Sequence, residues 1–220
     1  MIISEKRGFT VMLAHETERI RNFVAKQLSS ARMAHTERVL TMALEMADAF
    51  HCEQFLVDRD ALMVSSLYHD RAKEMPQAEQ INLLTRQDTS ERVRLAARYG
   101  AVAHGYTAAS LLPLEFPDLA STAAIEAVRY HTTGRPNMTP IELLLFLADF
   151  TEEGRVADSC VRAREYVRDA YGKADAHSRL YEITAFVLRE TVDYLTEKKR
   201  DIHPDTHRAL QYYMTKIAKA

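Results

Sequence analysis

The stretch "TPIELLLFLADF", Thr139 to Phe150, constrains this chain more than any other. Thr139 is a helix-capping residue, Pro140 suits the first turn, and Glu142 stands where a capping box needs its carboxylate. The run that follows is apolar all round, so the helix it forms must be enclosed on every side. The rest of the chain supplies enclosing helices. Gly and Pro are scarce, at six each, and apolar residues recur at helical spacing with almost no strand-like alternation. The chain therefore reads as all-α, a single helical bundle built around this segment.

The other helices can be placed from the same periodicity and from their caps. One runs from Ala14 to Ser30 and carries Ile20, Phe23, Val24 and Leu28; the next spans Ala34 to Phe50. Asp58 caps a helix that continues through Leu62, Val64 and Leu67 to Lys73, with Pro76 just beyond. A short helix covers Gln77 to Arg86, and Ser90 caps another that ends near Gly100. His104 opens or sits within a helix reaching Leu112, and Pro117 and Asp118 precede one that ends at Tyr130. The last three cover Val161 to Tyr171, Ala176 to Lys199, and Asp205 onward. Residues 1–13 read as an N-terminal extension and 14–220 as one domain.

Charge and cysteine content narrow the class. Lys plus Arg is 29 against 31 for Asp plus Glu, a net charge of −2, which argues against a protein built to coat nucleic acid. A local basic cluster for a small polyanion remains open. Two cysteines, Cys52 and Cys160, form no CxxC pair, so a disulfide scaffold is not expected and a reducing cytoplasm fits. No apolar stretch has transmembrane length and no signal peptide is legible.

Histidines and aspartates collect at the ends and faces of the apolar helices. His69 and Asp70 close the run containing Leu62 and Leu67, and Asp149 closes Leu143 to Ala148. Arg32 and His35 lie three apart on a helical face beside the apolar stripe of Val39, Leu40 and Ala43. A buried carboxylate is costly unless it is paired or bound to a cation. His35, His69, Asp70 and Asp149 make a ligand set of imidazoles and carboxylates, which suits Fe, Mn, Co or Zn. His104 and His131 are further nitrogen donors, either for a second ion bridged by Asp70 or for a substrate's phosphates. Each residue alone has a plainer reading: a lone histidine is usually a hydrogen-bonded core residue, and Asp149 has Arg155 available as a salt-bridge partner. His15, His51, His177 and His207 belong to no constellation and read as surface or structural. Met42, Met46 and Met63 read as core filling.

The ordered set of His, His-Asp, His, His and Asp resembles the HD-domain metal-dependent phosphohydrolases. Its flanks, "RMAHTERVL", "LYHDRAKEMP", "AVAHGYTAASLL", "YHTTGRPNMTPIELLLFLADFTEEGR" and "YLTEKKRDIHPDTHRA", occur in the order seen in the YqeK family, whose members are symmetrical bis(5′-nucleosyl)-tetraphosphatases. The resemblance runs from Ile20 to Tyr212. Two departures stand out: the family usually has proline where Glu153 stands and glycine where Asn137 stands.

The resemblance implies a single HD-domain bundle that hydrolyses diadenosine tetraphosphate to two ADP. His35, His69, Asp70 and Asp149 correspond to iron ligands, with Mn or Co as alternatives, and His104 and His131 join them if a second ion binds. Asp70 and Lys73 are then the catalytic residues, Asp70 orienting water and Lys73 meeting phosphate charge. Arg71, Ala72, Lys73, His104, His131, Thr132 and Arg155 correspond to substrate contacts, along with Asp70 and Asp149. The segment Ile202, His203, Pro204, Asp205 and Thr206 corresponds to a lid over the nucleotide. The plainer readings stand beside these: Lys73 as a solvated helix terminus, Arg155 paired with Glu152, and the "IHPDT" segment as a helix start. The expected partner is a dinucleoside polyphosphate, with no nucleic acid and no membrane; a homodimer is left open. The rival functions are another HD-type nucleotide phosphohydrolase, acting on a mononucleotide, a dNTP or ppGpp, and a nucleotide-sensing binding protein. A purely structural helical protein is the third alternative.

Overall fold

The computed structural model describes residues 15–50, 55–87, 90–173 and 175–218. Among them every regular element is a helix, as the periodicity requires. Helix α1 covers 15–24. It is followed by α2 (Ser30–Phe50), α3 (Arg59–Tyr68), α4 (Gln77–Gln87), α5 (Glu91–Arg98), α6 (Ala103–Glu115) and α7 (Thr122–Tyr130). The chain continues through α8 (Pro140–Thr151), α9 (Asp158–Asp169), α10 (Ala176–Glu197) and α11 (Pro204–Ile217). The extension at 1–13 and His51 lie outside the described residues.

The enclosed helix is α8. Leu143, Leu144, Leu145, Leu147 and Ala148 are all buried, and α8 packs against α2, α3, α7, α9 and α10. Its start is the expected capping box: Glu142 N–H donates to Thr139 Oγ1, and Thr139 N–H donates to Glu142 Oε2 at 2.8 Å. Glu142 is itself buried and gripped by the Arg135 fork, with Nη2 to Oε2 at 2.7 Å. Each buried leucine contributes roughly 1.5–3 kcal/mol of transfer free energy, so the helix is held mainly by its apolar contacts.

Several boundaries differ from the expected ones. The first helix ends at Val24, not Ser30, and the chain re-enters a helix already at Ser30. Helix α3 stops at Tyr68 rather than at Lys73. Beyond it, Arg71 N–H donates to Tyr68 O, Lys73 N–H to Asp70 O and Met75 N–H to Ala72 O, a chain of tight turns leading to Pro76. His69, Asp70 and Lys73 therefore lie on a tight turn and not on one α-helical face. Helix α6 also differs, reaching Glu115 with Pro113 inside its last turns.

The two residues that depart from the family pattern are accommodated. Asn137 has φ +54°, in the left-handed region where glycine is at ease and asparagine tolerated, and its side chain accepts a hydrogen bond from Tyr212 Oη at 2.8 Å. Glu153 pairs with Arg164 and Arg168. A close approach matters more at Gly105 on α6. A Cβ there would lie 3.2 Å from the Val128 and Arg129 carbonyls and 3.1 Å from the His131 ring, so the glycine lets α6 press onto α7 beside two site histidines.

Leu144→Ala should cost about 2–5 kcal/mol of unfolding free energy, and Thr139→Ala only about 1 kcal/mol. Urea denaturation measures both. A smaller loss for Leu144→Ala than for Thr139→Ala would contradict the central place given to α8.

Candidate metal centre

Helix ends and one helix face deliver the site. Asp70 comes from the turn after α3, His69 from the C-cap of the same helix, His131 from the C-cap of α7 and Asp149 from the last turn of α8. His104 opens α6, and His35 lies on the buried face of α2. Asp70 is 2% exposed and stands in the middle. Its Oδ2 faces His35 Nε2 at 3.7 Å and His69 Nε2 at 3.6 Å. Its Oδ1 faces His104 Nε2 at 3.4 Å and His131 Nε2 at 3.7 Å.

The histidine rings are oriented from behind. His69 Nδ1 lies 2.7 Å from Ser66 O, and His131 Nδ1 lies 2.7 Å from Val128 O. A carbonyl only accepts, so each Nδ1 carries the proton and each Nε2 turns a lone pair towards Asp70. Burial pushes the His69 imidazole down to about 4 and drives His104 well below its ordinary range, aided there by Lys73 and His131. Burial works against ionisation of Asp70, yet the carboxyl is held well below the usual range, with Lys73 the neighbouring charge that does not depend on a histidine proton.

The arrangement is a crowd of acceptors. His104 Nε2 and His131 Nε2 are 3.1 Å apart, beside Asp70 Oδ1. His35 Nε2 and His69 Nε2 are buried with no hydrogen-bond partner. Four imidazoles converging on one buried carboxylate, with two ring nitrogens left without a partner, fit a divalent transition cation. The donor atoms group as His35, His69 and Asp70 on one side and Asp70, His104 and His131 on the other. That is room for one ion or for two sharing Asp70.

Asp149 stands one step outside these groups. Its Oδ1 is 3.1 Å from His35 Nε2, yet Arg155 Nη2 donates to the same oxygen at 2.7 Å. Burial opposes its charge, while the Arg155 guanidinium helps to hold the carboxyl well below the usual range. The plainer reading of Asp149 as a salt-bridge partner is thus realised alongside its position at the centre. Arg155 sits 3.9 Å from Glu152, so its main partner is Asp149 and not Glu152.

The remaining candidates divide. Lys73 Nζ donates to His104 Nε2 at 3.3 Å from the solvent side, and Thr132 Oγ1 lies 3.0 Å from His131 Nε2. Arg32 Nη1 donates to Asp70 Oδ2 at 3.0 Å. Arg71 turns away, forked onto Glu115 at 2.8 Å and stacked over Phe23. Ala72 is fully buried in the apolar core. Neither side chain reaches the centre, because the tight turns after Tyr68 send them to the opposite side from Asp70. His203 caps α11, accepting from Asp205 N–H at 3.2 Å, and packs on Tyr99 and Tyr106; Thr206 is buried behind it. Ile202 and Pro204 flank it, partly buried. Glu152, buried at 1% exposure and 3.2 Å from His35 Nδ1, was not singled out by sequence; the signal was its place three residues after Asp149.

Known proteins resemble this chain over most of its length. The HD domain family model matches residues 32–154, which contain all six centre residues. A symmetrical bis(5′-nucleosyl)-tetraphosphatase of Bacillus subtilis is 27% identical over 183 residues, covering 83% of this chain and 89% of the relative. Proteins of the same description from Staphylococcus aureus (25% identical, 89% and 93% covered) and Halalkalibacterium halodurans (28% identical, 83% and 89% covered) are similar. Among solved structures, a predicted HD superfamily hydrolase involved in NAD metabolism from Clostridium acetobutylicum superposes with a TM-score of 0.76. It is 22% identical, with 90% of this chain and 97% of that chain covered. With the family model spanning more than half its length and the histidine–aspartate centre assembled within that span, the chain belongs to the HD domain family.

Proposed function

We propose that this HD-domain hydrolase cleaves diadenosine tetraphosphate and related dinucleoside polyphosphates symmetrically, giving two ADP. The observation that carries the reading is the shared carboxylate: Asp70 offers one oxygen to His35 and His69 and the other to His104 and His131. The relatives' descriptions supply the substrate class and the symmetry of cleavage.

The residues that would hold a divalent transition metal are His35, His69, Asp70 and Asp149, with His104 and His131 for a second ion; iron is the first choice, manganese or cobalt the alternatives. Such a cation supplies Lewis acidity to a phosphate oxygen and lowers the pKa of water. The chain's own groups do the rest. Asp70, an acceptor through both carboxylate oxygens, orients the attacking water. Lys73 meets negative charge on the phosphate chain, since its ammonium stands at the solvent edge beside His104. Arg155 and Arg32 add guanidinium donors on the other edge, and Thr132 offers a hydroxyl. Water adds to one of the two central phosphorus atoms as the bond from that phosphorus to the central bridging oxygen breaks. The water oxygen stays on the first ADP, the bridging oxygen leaves on the second, and the protons of the water pass to solvent. The segment from Ile202 to Thr206 covers the nucleotide, held by Tyr99 and Tyr106. Arg71 and Ala72 contribute through the turn that carries Asp70 and Lys73.

We place this activity in the cytoplasm, in one domain spanning 14–220. The free, buried Cys160 is consistent with a reducing compartment, and among the described residues no helix is long and apolar enough to cross a membrane.

ADP should be the sole nucleotide product from diadenosine tetraphosphate in the presence of Fe, Mn or Co, read by chromatography. Release of AMP and ATP, or of orthophosphate from a mononucleotide in preference, would overturn the reading. Asp70→Ala should lower kcat by on the order of 10³-fold or more; unchanged turnover would reject the mechanism. For Lys73→Met, kcat/KM should fall about 10²-fold with metal content unaltered, and a loss of metal instead would reassign the lysine.

A further inference from the structure

Glu152 is the C-cap of α8, with φ −58° and ψ 154°, so the chain leaves the helix there and the side chain turns back towards α2. Both carboxylate oxygens are engaged. Oε1 lies 3.2 Å from His35 Nδ1, and Oε2 accepts from Arg38 Nε and, at 2.6 Å, from Gly154 N–H. His35 and Arg38 are three residues apart on α2, so they present to one side chain together. Gly154 permits this clamp, because a Cβ there would meet the Arg38 guanidinium at 2.5 Å.

The site histidines differ in what can hold them. His69 and His131 sit at helix C-termini, where the carbonyl three residues back has no helical partner and can accept from Nδ1. His35 lies inside α2, where the preceding carbonyls are consumed by the helix. Only a side chain from another element can orient its ring, and Glu152 is that side chain. Oε2 of Glu152 accepts from both Arg38 Nε and the Gly154 N–H, so Oε1 is left to face His35 Nδ1 as an acceptor.

We propose that Glu152 is a positioning residue: it fixes His35 as the Nδ1–H tautomer and aims Nε2 at Asp70 and Asp149, with Arg38 and Gly154 holding the carboxylate in place. The consequence for the metal rests on the reading of His35 as a ligand, because a ligand imidazole is strengthened by such a partner. The clamp also ties the end of α8, which carries Asp149, to the face of α2.

The test compares wild type, Glu152→Gln and Glu152→Leu by two readouts. One is Mn²⁺ affinity of the chelator-treated protein by calorimetry. The other is the His35 tautomer in the metal-free protein by nitrogen-15 NMR at a pH where the ring is neutral. Glu152→Leu should weaken Mn²⁺ binding about 10- to 100-fold and shift His35 off the Nδ1–H tautomer. Glu152→Gln keeps a carbonyl acceptor and should retain the tautomer with a smaller loss of affinity. Unchanged affinity and tautomer in Glu152→Leu would overturn the proposal. If wild type binds no Mn²⁺, the metal reading fails, and the tautomer comparison alone decides the role of Glu152. Should Glu152→Leu fail to fold by circular dichroism, Gly154→Ala replaces it. Displacing Arg38 must then move both readouts in the same direction, and no movement overturns the proposal.

Discussion

A single carboxylate buried among imidazoles organises this molecule. Asp70 is almost wholly removed from solvent, and its two oxygens face different pairs of histidines. A buried charge of this kind is tolerated only with compensation. Arg32 and Lys73 supply part of it from the rim, and the converging lone pairs of the rings supply a place for more. The chemistry of the site follows from that one cost and its remedy.

The bundle exists to bring helix termini to this point. Helix α8 is enclosed by its neighbours and so fixes Asp149 and the α2 face that carries His35. The close contact of α6 with α7 at Gly105 sets His104 against His131. The helix C-termini that carry His69 and His131 are suited to the task, because their unpaired carbonyls orient the imidazoles while the side chains stay free to meet a ligand. His35, inside a helix, faces Glu152 instead.

Much of this was legible in the sequence. Helical periodicity gave the all-α bundle, and "TPIELLLFLADF" identified both the central helix and its capping box, since caps and apolar runs are local signals. His35, His69, Asp70, His104 and His131 were legible because each terminates or lines an apolar run, and Arg32 because it shares a face with His35. What was not legible depends on tertiary packing. The tight turns after Tyr68 replace an expected helix, since burial of His69 and Asp70 outweighs local helical preference; they send Arg71 to Glu115 and Ala72 into the core. The preference of Arg155 for Asp149 over Glu152, and the part played by Glu152 itself, follow from distances that spacing along one helix does not encode.

The central claim is that a transition metal belongs beside Asp70. The most direct measurement is anomalous diffraction, at the iron and manganese absorption edges, from crystals of protein purified without added metal. The account predicts a peak between Asp70, His35 and His69, with or without a second between Asp70, His104 and His131. An anomalous map featureless around Asp70, with ordered water bridging the histidines, would contradict it.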